Sequence, residues 1–73
     1  MRSKADLLKR AAECDGLRGR EPEETRKTVF RHLRDIWLAL ADESETLAPE
    51  ALAREIAVVE EIQAKLHRPG HLQ

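Results

Sequence analysis

The amino-acid sequence predicts an all-α protein, an antiparallel helical hairpin with a short helix ahead of it. Two observations carry that prediction. Apolar residues recur at helical spacing in three segments, and no segment alternates as a strand would. Each of the two longer segments opens on a proline, Pro22 and Pro49, at a position where a helix tolerates the missing N–H.

The first helix is expected over about residues 3–15. Ser3 suits the N-cap, and Asp6 three positions on places an acid in the first turn. Leu7, Leu8, Ala11, Ala12 and Cys14 recur as one apolar face. Gly16 is the expected stop, with Gly19 and Pro22 marking 16–21 as a connection.

The second helix is expected over about 22–43, with Pro22 at its first position and Glu23 and Glu24 complementing the helix dipole. Val29, Phe30, Leu33, Ile36, Trp37, Leu40 and Ala41 form its apolar stripe, with Leu38 at the edge or beyond. The acids of Asp42-Glu43-Ser44-Glu45-Thr46 oppose the dipole at a C-terminus, so fraying is expected there.

The third helix is expected over about 49–67. Ala48 takes the cap position, and Leu47 and Leu52 form a hydrophobic staple across it. Leu52, Ile56, Val59, Ile62 and Leu66 make a narrow seam. Glu50–Arg54 and Glu61–Lys65 have the spacing of i,i+4 ion pairs, and Pro69-Gly70 ends the helix. Residues 1–68 then form a single domain, with 69–73 a disordered tail. The short connection makes the second and third helices antiparallel neighbours, setting Leu40 near Leu52, Ile36 and Trp37 near Ile56, Leu33 near Val59, and Val29 near Ile62 or Gln63.

At 73 residues the core is small, and a single cysteine supplies no disulfide staple. A lone thiol, the absence of an 18-residue apolar run, and a charged start at Met1-Arg2-Ser3-Lys4 point to the cytoplasm and to no membrane partner. Residues 1–34 hold ten Lys and Arg against six acids, and residues 35–73 hold three against eight. A hairpin that lays one half along the other neutralises much of that split.

Catalytic chemistry is not expected. Cys14 lies between Glu13 and Asp15, which oppose the thiolate, and falls on an apolar face as a small buried hydrophobe. His67 and His71 are four apart, but Pro69 and Gly70 break the helix a chelating pair needs, so no metal or other cofactor is expected. No Gly-rich phosphate loop is present, and two long helices leave little room for a cleft.

Two surfaces remain as candidates. Phe30, Leu33, Trp37, Leu38 and Leu40 add bulk to a stripe wider than one neighbouring helix covers, which favours a homodimer finishing the core as a four-helix-type bundle, or the first helix closing a three-helix bundle. Arg18, Arg20, Lys27, Arg31 and Arg34 form a basic patch whose natural partner is nucleic acid. The net charge of −1 and the lack of interleaved aromatics favour a solvated face instead. The first function expected is thus a non-catalytic, self-associating protein–protein interaction module, and the alternative a small nucleic-acid-associated or regulatory protein.

Arg10-Ala11-Ala12-Glu13-Cys14-Asp15-Gly16-Leu17 and Trp37-Leu38-Ala39-Leu40-Ala41 together resemble a group of short bacterial helical proteins of unknown function. That group shares an R-A-x-E-C-x-x-L segment followed by W-x-x-L-A on a second helix. Gly16 and the Gly19–Pro22 connection depart from its pattern. The resemblance implies a helical hairpin or bundle and brings no activity, cofactor or site residue.

Overall fold

A computed structural model describes residues 4–66, which form three helices: α1 (Lys4–Arg20), α2 (Glu24–Glu43) and α3 (Pro49–Leu66). The all-α class holds. Ser3, the histidine pair His67 and His71, the Pro69-Gly70 stop and the 69–73 tail lie outside the described residues.

α1 does not stop at Gly16 but runs on to Arg20. Two glycines cost a helix interior about 1 kcal/mol each, and tertiary contacts offset that cost. Leu17, beyond Gly16, packs against the core. Arg18 and Arg20 occupy the last turn, where positive charge complements the dipole. Asp15 ties the turn to α2 through Arg34, at 3.0 Å.

α2 begins at Glu24, two residues later than the proline signal indicates. The Glu21 carboxylate accepts the Glu23 backbone N–H at 3.2 Å and the Arg26 Nε–H at 3.1 Å. That local closure leaves Pro22 in the connection. At the other end the helix does not fray before Glu43. The Ser44 hydroxyl donates to the Ala41 carbonyl at 2.7 Å and the Thr46 hydroxyl to the Glu43 carbonyl at 3.1 Å, adding to the backbone N–H bonds that the following turn gives the same carbonyls.

α3 begins at Pro49 as expected, with the Leu52 N–H bonded to the Ala48 carbonyl at 3.0 Å. Leu47 and Leu52 both join the core. The expected pairs Glu50–Arg54 and Glu61–Lys65 do not form. All four side chains stand exposed with no ion-pair partner among the described residues.

The closest helix pair is α1 with α2 rather than α2 with α3. A three-residue connection, 21–23, folds α2 back along α1, and small buried residues at Ala11, Cys14 and Ala41 let the backbones approach. α3 lies across this hairpin, held to it by side chains. One core results, built from Leu7, Ala11 and Cys14 of α1, Phe30, Leu33, Trp37, Leu40 and Ala41 of α2, and Leu52, Ile56 and Val59 of α3.

Several expected core residues stand outside it. Leu8, Ala12, Ile36 and Ile62 are exposed. In α3 the buried positions Leu52, Ile56 and Val59 follow a four-then-three spacing that continues to Gln63 and Leu66. Ile62 is one residue out of that phase, and Gln63 takes the inward place. The same logic excludes Ile36, which lies beside the buried row Phe30, Leu33, Trp37 and Leu40.

Candidate interaction surfaces

Four of the five apolar side chains singled out as an interface are used within the chain. Phe30, Leu33, Trp37 and Leu40 are buried, and only Leu38 is exposed, at 42%. Trp37 is covered from two sides and is fully buried. From α1, the Arg10 guanidinium sits 5.0 Å from the centre of the indole ring and pairs with Glu60 of α3 at 2.6 Å. From α3, the Gln63 side-chain oxygen accepts the indole N–H at 3.0 Å and the Cys14 thiol at 3.7 Å. The first helix therefore covers Trp37 without a second chain.

This polar lining is what a buried indole requires, since its N–H must find an acceptor once water is excluded. Among the described residues, no buried side-chain nitrogen or oxygen lacks a partner. Burial pushes the Cys14 thiol up from its ordinary value, and the neighbouring Glu13 carboxylate adds to the shift, against the bond from Trp37 and the charge of Arg10. Such a thiol is protonated and enclosed, the opposite of a nucleophile.

The basic residues meet different fates. Arg18 donates two bonds to Asp15, at 3.1 and 2.9 Å. Arg34 bridges Asp15 and Asp35, each at 3.0 Å. Lys27 lies 3.6 Å from Glu24. Of the five patch residues, Arg20 and Arg31 have no ion-pair partner among the described residues. Hydrogen bonds from Arg18 and then Arg34 hold the Asp15 carboxyl below the usual carboxylate range. Bonds to Asp35 and Asp15 hold the Arg34 guanidinium above its ordinary value. Arg18, Lys27 and Arg31 do share one open depression, but Glu24 lines it with them.

Sequence reasoning missed Arg10, Arg26, Glu60 and Gln63. Arg26 lies 5.7 Å from the Phe30 ring centre and donates to the Leu66 carbonyl at 2.9 Å, placing a cation at the C-terminal end of α3. Gln63 was detectable from the heptad phase of α3. The long-range partners of Arg10 and Arg26 leave no local trace in the sequence.

Some large apolar side chains remain exposed on each helix. Ile36 is 40% exposed, Val58 56% and Ile62 43%, all on α2 and α3. Leu8 and Leu38 are exposed on α1 and α2. Among the described residues, no group of three His, Cys, Asp or Glu side chains is placed to hold a metal, and no helix is long and apolar enough to cross a membrane.

Comparisons with protein-family models, curated proteins and solved structures find no match to this chain.

Proposed function

We propose that this chain is a non-catalytic helical protein–protein interaction module that self-associates, acting in the cytoplasm. The observation that carries the reading is the set of large apolar side chains left exposed on α2 and α3, Ile36, Val58 and Ile62 above all, on a chain whose core is already closed. Exposed apolar side chains that recur on one helix face favour association, whereas single exposed apolar residues are ordinary. The single unbridged thiol agrees with a reducing compartment. Nucleic-acid binding has less support, because three of the five basic side chains are neutralised by neighbouring acids.

Sedimentation equilibrium across a dilution series tests the reading. The proposal predicts a reversible monomer–dimer distribution in the micromolar range. A strictly monomeric, fully folded chain at high micromolar concentration contradicts it. For the nucleic-acid alternative, duplex titration at low ionic strength is the check, since phosphate contacts are strongest there. The proposal predicts no saturable binding.

A further inference from the structure

We infer that the outer face of α3 is the self-association surface and that it takes a second copy of this chain in antiparallel orientation. This inference rests on the self-association reading and names the surface that performs it. Ala51, Val58 and Ile62 lie seven and four residues apart, so they share one face of α3, which also carries the exposed Glu55. Val58 and Ile62 are exposed there. On α2, Ile36 is also exposed, and two residues from Arg34 it lies on the opposite side of the helix from the Arg34–Asp15 contact with α1.

The identity of the occupant comes from charge order. Glu50, Arg54, Glu61 and Lys65 form a single stripe along the flank of that face, at spacings of four, seven and four. All four are exposed and none has an ion-pair partner among the described residues. The stripe reads acid, base, acid, base. Laid against a reversed copy of itself, it sets Glu50 opposite Lys65 and Arg54 opposite Glu61, twice over by symmetry. In a parallel two-fold pair the two stripes fall on opposite sides of the contact and do not meet, so only the antiparallel order uses them. Flanking charges of this kind set helix orientation beside an apolar seam. The charges one turn before Leu38 are already used, because Arg34 pairs with Asp15 and with Asp35.

The test is a charge-reversal cycle on the full chain, read as the dimer dissociation constant by sedimentation, with circular dichroism to confirm that each variant is folded. Arg54→Glu and Glu61→Arg each set like charges opposite each other and weaken dimerisation by about threefold to tenfold. Combined in one chain they recreate the pairing, and the constant returns to within about twofold of wild type. Val58→Glu, a substitution of an exposed residue, weakens the dimer by more than about tenfold because it buries an unpaired charge. A dimer indifferent to Val58→Glu overturns the surface while self-association stands. A double variant weaker than either single overturns the antiparallel order. A monomeric wild-type chain leaves the face to a different partner and overturns both this inference and the reading beneath it.

Discussion

Trp37 and Gln63 are joined by a hydrogen bond of 3.0 Å from the indole nitrogen of α2 to the side-chain oxygen of α3. The bond lies at the point where all three helices meet, because the same oxygen accepts the Cys14 thiol of α1. It explains how a polar residue sits in the α3 seam without loss: the glutamine supplies the acceptor that the buried indole requires.

Truncating either partner should therefore destabilise the fold by different amounts. Trp37→Ala removes the largest fully buried side chain and is expected to cost about 3–5 kcal/mol. Gln63→Ala leaves the indole N–H without its acceptor and is expected to cost about 1–3 kcal/mol. Urea denaturation of each variant measures both. A Trp37→Ala loss below about 0.5 kcal/mol, as for a surface substitution, would contradict the core described here.

Gly16→Ala should stabilise the protein. A Cβ at this position meets only the Arg20 guanidinium, at 3.8 Å, an ordinary contact, and the site is interior to α1. Alanine gains about 0.5–1 kcal/mol over glycine in such a place. A lowered thermal midpoint would show that α1 ends at Gly16 after all.

Asp15 gives the α1–α2 hairpin an acid-sensitive contact. Its carboxyl is held below the ordinary range in the folded chain, by bonds from Arg18 and then Arg34. A depressed folded-state value means the contribution is complete above the unfolded value, near pH 4, and is lost as pH falls through the folded one. Denaturation midpoints followed downward from about pH 5 should drop less steeply for Asp15→Asn than for wild type. Equal slopes would show that the Arg18–Asp15–Arg34 cluster contributes nothing to folding.

Cys14 should resist modification in the native state. Burial raises the thiol, and no part of its side chain is exposed. Iodoacetamide at neutral pH is expected to label the folded chain slowly and the urea-unfolded chain at the rate of a free thiol. Equal rates would place Cys14 at the surface.

The three helices were legible because their apolar periods, prolines and polar connections agree, and the start of α3 at Pro49 follows from local chemistry alone. Which helices pack most closely was not legible. The sequence favours the hairpin with the longer apolar stripes, whereas close approach depends on small residues, Ala11, Cys14 and Ala41, that contribute little to a hydrophobic pattern. Hydrophobicity alone points Ile36 and Ile62 inward, and the phase of the buried rows puts them outside. Leu52, Ile56, Val59, Gln63 and Leu66 keep the phase and show why a polar residue outranks an isoleucine at its neighbouring position. Arg34 promised a basic patch because its partner Asp15 lies 19 residues away on α1, whereas the Arg18–Asp15 pair, three residues apart on one helix, was open to local reading.

One chain closes its own core over Trp37, and the proposed self-association uses a separate outer face. Trp37 is the only tryptophan, so its emission reports that core directly. Fluorescence should be recorded across the same dilution series that dissociates the dimer. The account predicts a blue-shifted emission that stays constant as dimer gives way to monomer. An emission that moves to the red in step with dissociation would show that a second chain covers Trp37, and would contradict the account.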